Sequence, residues 1–541
     1  MQRLFTLILI LLISQTSRAQ ALQRPKLVVG IVIDQMRWDY LYRYYERFDA
    51  KGGFKRLMNQ GFSCENTMIP YIPTVTAPGH SSIYTGSVPA ISGITGNIWW
   101  DYALGKSVYC TDDSTVNSVG STDKWGKMSP RKLLVTTICD ELRIATNFKS
   151  KVIGIAMKDR GCILTTGHSA NAAYWFDETT GDWITSTYYM NELPDWLKEF
   201  NSQKLPDKYF TQGWSTLFPI ETYTNSTADE KSYEAKMFGP DAKGFPYDLK
   251  SFVGKKYNTL LNTPFGNTYT AELAKSIIIN ENMGKGQATD FLAISFKSTD
   301  YVGHSTGPNS IETEDVYLRL DKDLGELFEL LDSKIGKGQY TVFLSADHGV
   351  AQVPEYMQEN RMPGGRVSSS KMVAELNGLL KTKFAVDKLV VSGENFQVYL
   401  NHVAIDSAKL NKPEIVNVVV NYLLALPGIS KAFASTDMNI VPLQPRFREL
   451  INNGYYPNRS GDVQYILNPG TISYWSPTGT THGGGYAYDS HIPLLWYGWG
   501  VKQGRLNRET SMTDIAATLA ALLHIQMPSG CVGKVIPELM K

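Results

Sequence analysis

Four places in this chain carry residue types able to hold a divalent metal. Asp34 ends the apolar run 27–33. Asp300 and His304 form a D-x-x-x-H pair after the run 290–296. Asp347 and His348 are adjacent after 340–344, and His482 sits in the glycine-rich stretch 480–485. These carboxylates and imidazoles are enough for two divalent ions, and so nitrogen-rich a set favours zinc over magnesium or calcium. Thr76 supplies a hydroxyl within 71–97, a run of small residues, Pro and Gly that reads as a tight turn opening a helix. A hydroxyl there faces unpaired backbone N–H groups and the positive end of the helix dipole, a natural place for an anion. A plain helix cap is the bland alternative. Lys158 and Arg160 follow the run 151–157, where two cations could grip an anionic substrate or form a solvated charged turn.

Such residues need a scaffold that gathers strand ends. The runs 27–33, 151–157, 290–296 and 340–344 are continuous, apolar and β-rich, as expected of buried strands in a mostly parallel sheet, and 492–497 reads as a last strand. In open α/β sheets chemistry collects beyond the carboxyl ends of the strands. The pattern predicts helices over 40–60, 81–84, 129–147, 267–282, 311–333 and 512–524. Residues 181–268 are aromatic, Pro-rich and irregular, an expected insertion. Residues 366–441 alternate helix and short strand, an expected compact cap over the site, and 442–476 reads as loop.

Composition narrows the function classes. The net charge of +1, with acids and bases intermixed, offers no nucleic-acid groove and no polybasic membrane patch. The cysteines Cys64, Cys110, Cys139, Cys162 and Cys531 are far apart and form no C-x-x-C, which excludes a zinc ribbon or thioredoxin-like motif and leaves disulfide pairing open. Residues 1–19 combine Arg3, the apolar run 4–13 and the small-residue site Ser17-Arg18-Ala19, the pattern of a secretory signal peptide cut after Ala19. The run is short for a membrane span. The expected mature protein, 20–541, is soluble and exported to the periplasm or beyond, and a monomer.

The set D-Q-M-R at Asp34, T-A-P-G-H at Thr76, G-N at Asn97, K-D-R at Lys158, D-Y-V-G-H at Asp300, A-D-H-G at Asp347 and T-H-G at His482 resembles the alkaline phosphatase superfamily. More narrowly it resembles the PafA-type phosphate-irrepressible alkaline phosphatases of Bacteroidetes, and the likeness covers essentially the whole mature chain. The resemblance implies an α/β three-layer sandwich with a central, mostly parallel sheet and inserted capping elements. It implies Thr76 as the nucleophile that becomes a phosphothreonine. It implies two zinc ions, one held by Asp300, His304 and His482, the other by Asp34, Asp347, His348 and Thr76 Oγ. Asn97, Lys158 and Arg160 would hold the phosphoryl oxygens, the two cations standing where relatives place a third, magnesium site, so no magnesium is expected.

The implied activity is hydrolysis of a broad range of small phosphate monoesters. A phosphodiesterase or nucleotide pyrophosphatase of the same superfamily is the alternative, and a non-catalytic exported binding protein a third. Lys158 and Arg160 favour the dianionic end of a monoester. His80 is expected to pack or hydrogen-bond behind the Thr76 loop, His491 is second choice to His482, and Asp489 is a candidate to orient a ligand from behind.

Overall fold

Every residue of Leu27–Ile33 is buried, and this strand lies in the middle of a ten-stranded sheet. The computed structural model describes residues 23–474 and 476–541, so the leader expected over 1–19 lies outside the described residues. In chain order the sheet uses β1 (Leu27–Ile33), β2 (Phe62–Met68), β3 (Ser118–Val119), β4 (Val152–Ala156), β5 (Ala172–Phe176), β6 (Trp183–Ser186), β7 (Asp290–Phe296), β8 (Tyr340–Ser345), β9 (His491–Gly498) and β10 (Gly504–Ser511). Across the sheet they run β10-β2-β9-β8-β1-β7-β4-β5-β6-β3. The stretch β8-β1-β7-β4-β5 is parallel throughout. β9 joins β8 antiparallel, and β6 joins β5 antiparallel. Strands covered on both faces have no solvent side, which is why β1, β7 and β8 are nearly unbroken apolar text.

Short helices follow the central strand ends: α1 (Thr76–Thr85), α2 (Asp159–Thr166) and α3 (Ser298–Thr306), with the longer α4 (Ile311–Leu331) behind them. α1 lies close on the turn after β8. A Cβ on Gly79 would come within 2.5 Å of the Asp347 carbonyl oxygen, so glycine alone permits the approach.

Three expected helices differ from those observed. The span 40–60 is broken into Tyr40–Arg43, Tyr45–Arg47 and Gly53–Gln60, because the chain turns through Phe48, which is extended, to Gly52-Gly53. Within 129–147 only Ile138–Ala145 is α-helix; Thr137 and Asp140 form a capping box that starts it there. Around Thr76 the helix is longer than 81–84 and begins at Thr76 itself.

The chain between 181 and 268 is not all irregular. β6 extends the central sheet, the helices Asp195–Ser202 and Leu205–Gln212 follow, and turns and short 3-10 helices fill the rest up to 262. A second body has its own apolar core, including Leu376, Val398, Val419, Leu423 and Val463. Its four strands lie in the order Val390–Ser392, Gln397–Leu400, Val463–Leu467, Ile429–Ala434. The strand Val463–Leu467 sits between two strands of the expected 366–441 cap, so that body continues past residue 441 to at least 467. The five cysteines are unpaired thiols.

Candidate metal centre

Asp34 directly follows β1, Asp300 lies in the first turn of α3 after β7, and Asp347 and His348 follow β8. Because these strands are parallel neighbours, their carboxyl ends open on one edge of the sheet. His482 arrives from the loop before β9. Its imidazole stacks on His348 with ring centroids 3.4 Å apart and lies 5.1 Å from His304.

Two groups result. In the first, Asp300 Oδ1 is 3.2 Å from His304 Nε2 and 3.6 Å from His482 Nε2. In the second, His348 Nε2 is 3.5 Å from Asp34 Oδ1 and 3.3 Å from Asp347 Oδ2. Asp34 Oδ1, Asp347 Oδ2 and His348 Nε2 are buried and have no hydrogen-bond partner, although each should cost free energy in that state. A cation at their common focus would satisfy all three.

The histidines are also turned for coordination. Each Nδ1 meets a backbone carbonyl: His304 with Thr480 O at 2.8 Å, His348 with Gly349 O at 3.0 Å and His482 with Thr74 O at 2.7 Å. That leaves Nε2 as the ligand atom, the usual arrangement of metal-binding histidine. Burial holds His348 below its ordinary pKa. Burial, followed by the facing His348 and His304, holds His482 well below, so both imidazoles are neutral, the form that binds metal. Burial, reinforced by Asp300 and Asp347, pushes Asp34 well above the usual carboxylate range. Burial opposes ionisation of Asp300 too, but Lys297, His304 and His482 hold its carboxyl well below that range.

Thr76 is the first residue of α1 and is 2 % exposed. The bland reading does not describe it: Val75 occupies the cap position, and no side chain caps this helix. Asn97 lies beside it, with Oδ1 accepting from Ala77 N–H at 2.8 Å. Lys158 occupies the position before α2 without capping it by its side chain, pairs with Glu178 and lies 5.5 Å over the Tyr301 ring. Arg160, on α2 against α1, donates from Nη1 to Tyr109 OH at 3.1 Å, and its Nε is buried without a partner.

His80 hydrogen-bonds on both sides, to Thr76 O at 2.9 Å and Ser295 Oγ at 2.8 Å, as expected of a residue behind the loop. Its Nδ1 is nevertheless 3.3 Å from Asp347 Oδ2. His491 stacks on Trp38 and bonds Glu65 O, away from the cluster. Asp489 accepts from Gly484 N–H at 2.8 Å and so fixes the loop that carries His482.

Sequence reasoning missed two residues here. Gln35 has a left-handed backbone (φ 64°); its N–H donates to Asp347 Oδ1 at 3.2 Å and its Nε2 to Asp300 Oδ1 at 2.9 Å. Lys297, 2 % exposed, places Nζ 2.6 Å from Asp34 Oδ2, 2.8 Å from Asp300 Oδ2 and 3.3 Å from Thr76 Oγ. A buried lysine directly before a ligand motif was the available signal. A cleft beside the cluster, between the main sheet and the second body, is lined by Asn97, Ile98, Phe396, Tyr465, Tyr474 and His482.

A mostly parallel sheet with acid and imidazole groups at successive strand ends is the architecture of the alkaline phosphatase superfamily. A profile of the type I phosphodiesterase / nucleotide pyrophosphatase family matches residues 28–487, and the chain belongs to that family. Alkaline phosphatase PhoV of Synechococcus elongatus is 53% identical over 96% of this chain and 94% of its own length. Alkaline phosphatase PafA of Elizabethkingia meningoseptica is 48% identical over 97% of this chain and 96% of its own. A crystal structure of PafA superposes with a TM-score of 0.94 at 48% identity, covering 96% of this chain and 100% of that one. A second PafA structure is a variant with a threonine, an asparagine, a lysine and an arginine substituted.

Proposed function

We propose that this chain is an exported two-zinc phosphomonoesterase that works through a phosphothreonine on Thr76. The observation that carries the reading is the three orphaned buried atoms, Asp34 Oδ1, Asp347 Oδ2 and His348 Nε2, set beside Asp300, His304 and His482 near the Thr76 hydroxyl. Zinc bound at these groups would favour the threonine alkoxide and balance charge on the attacking and leaving oxygens of an in-line displacement. Its relatives PhoV and PafA, named alkaline phosphatases, support the same class.

The chain's own residues do the positioning. Thr76 Oγ is held at the start of α1, where it attacks phosphorus; a Thr76 O–P bond forms as the ester P–O bond breaks. The Thr76 O–H proton passes to solvent, the leaving oxygen takes one from water, and the alcohol departs on the side of Asp300, His304 and His482 by the cleft lined by Phe396. Water entering on that side then forms a new P–O bond as the Thr76 O–P bond breaks, a proton returns to Thr76 Oγ, and phosphate is released. Asn97 accepts from Ala77 N–H through Oδ1, which leaves its NH2 to donate to the phosphoryl oxygens. Lys158 and Arg160 supply positive charge for the remaining oxygens, so that catalysis is positioning plus electrostatics. Those cations take the place a third metal would fill, so no magnesium is needed.

The family's description gives the second reading, a phosphodiesterase or nucleotide pyrophosphatase. Two cations at the non-bridging oxygens suit a dianionic monoester; a diester brings one charge fewer and a second substituent. The test is to compare turnover of an aryl phosphate monoester with that of its diester, before and after zinc removal. Faster diester turnover, or turnover unchanged without metal, refutes the proposal.

A further inference from the structure

Asp34 and Asp300 each divide their two carboxylate oxygens between different partners. Asp34 Oδ1 faces His348 Nε2, and Asp300 Oδ1 faces His304 and His482. The opposite oxygens, Asp34 Oδ2 and Asp300 Oδ2, both bind the Lys297 ammonium, at 2.6 and 2.8 Å. One lysine therefore ties a carboxylate of one ligand group to a carboxylate of the other from behind, and turns Asp34 Oδ1, which has no hydrogen-bond partner, and Asp300 Oδ1, which accepts from Gln35 Nε2 at 2.9 Å, toward the histidines. Its side chain is 2 % exposed, so this is a desolvated cation with a fixed address.

We propose that Lys297 is a built-in counter-cation of the metal centre, which holds the Asp34 and Asp300 carboxylates in register without metal and lowers the centre's affinity for metal. The inference rests on the two-metal reading above. Three carboxylates, Asp34, Asp300 and Asp347, are at most 3 % exposed and converge here. A buried carboxylate without a counter-charge is strongly disfavoured, and Lys297 supplies one before any ion arrives. Once a divalent ion binds the inward oxygen of either Asp, it shares that carboxylate with the ammonium and is repelled by it. Coupling of this kind is reciprocal: whatever the ammonium costs the bound ion, the ion costs the ammonium. Two Asp rotamers held in place are a smaller effect than a unit charge beside a divalent ion at low dielectric, so the repulsion sets the sign.

The experiment uses the full mature chain as wild type, Lys297→Met, which keeps the length without the charge, and Lys297→Arg, which keeps the charge. Free zinc at half-loading is set with a chelator buffer, and melting is followed in the zinc-free and zinc-loaded forms. Lys297→Met is expected to load at a free zinc concentration at least tenfold lower than wild type. Its zinc-free form is expected to melt several degrees lower, and Lys297→Arg to stay near wild type in both. If zinc-free Lys297→Met cannot be recovered, the chelator concentration that strips half the zinc from the loaded protein must still rise by tenfold. Zinc loading of Lys297→Met at the wild-type concentration or higher overturns the inference while leaving the two-zinc reading standing. A wild type that takes up no zinc overturns both.

Discussion

Replacing Asn97 separates two jobs that one side chain performs. Oδ1 accepts from Ala77 N–H at 2.8 Å and steadies the start of α1, and under the proposed function the NH2 is the donor to the phosphoryl oxygens. Asn97→Ala removes both. The lost backbone contact is an ordinary hydrogen bond between the buried Ala77 N–H and the half-buried Asn97, about 1 kcal/mol. The lost donor to a developing phosphoryl charge is worth more, about 2.7–4 kcal/mol, or roughly 10²–10³ in rate. Asn97→Asp separates the jobs, because a carboxylate still accepts from Ala77 N–H but puts a negative oxygen where the donor stood. Melting of Asn97→Asp should therefore match wild type, whereas its kcat/KM for a monoester should fall further than that of Asn97→Ala. The assays are steady-state turnover of an aryl phosphate and thermal melting of the zinc-loaded protein. A loss below tenfold in Asn97→Ala, or wild-type turnover in Asn97→Asp, would refute the assignment of the NH2 to the phosphoryl group.

Further outcomes follow from the same geometry. Thr76→Ala should lower monoester turnover by at least about 10³-fold, as loss of a nucleophile does, with melting unchanged; residual turnover within tenfold of wild type excludes Thr76 as nucleophile. Lys158→Ala and Arg160→Ala should each cost about 10–100-fold on a monoester, the weight of a charge-assisted hydrogen bond, and less on a diester; equal losses remove the argument for the monoester. Glu234 is pushed up to about 9, first by burial and then by Glu312, and its Oε1 has no partner. An acid whose pKa is raised on folding stabilises the fold at low pH, and that contribution is lost as pH rises from about 4.5 toward 9. Glu234→Gln should thus melt like wild type near pH 5 and above it near pH 9, by on the order of 1–2 kcal/mol; melting curves that stay parallel across that range contradict the burial argument.

The central strands were legible because burial on both faces leaves a local mark, an unbroken apolar run. β2 and β10 left no such mark. FSCENTM and GRLNRETS carry polar residues where one face meets solvent or a loop, and β10 is an edge strand paired only with β2. The helix expected over 129–147 failed for a different reason. Its apolar spacing is real, but the capping box at Thr137 and Asp140 decides where the helix begins, and the preceding residues are drawn into turns. The second body runs past 441 because its third strand in space is its last in sequence, and no local pattern states which strand fills a gap in a sheet.

The site divides along the same line. Ligand types follow strand ends and can be read one motif at a time, since parallel neighbours carry their ends to one edge whatever the sequence separation. What fills the space between the ligands cannot be read that way. Lys297 touches Asp34 across 263 residues and Thr76 across 221, and Gln35 reaches Asp347 across 312. Each looks locally like a turn residue beside a motif. Their common role appears only when the Asp34, Asp300 and Asp347 carboxylates are seen to converge with one ammonium among them. A cluster of buried acids must contain its own compensation, so a buried lysine or amide adjoining a metal-ligand motif is a candidate for it. Applied to 296–300, that rule marks Lys297 as a candidate, because it directly follows a fully buried strand and stands three residues before Asp300.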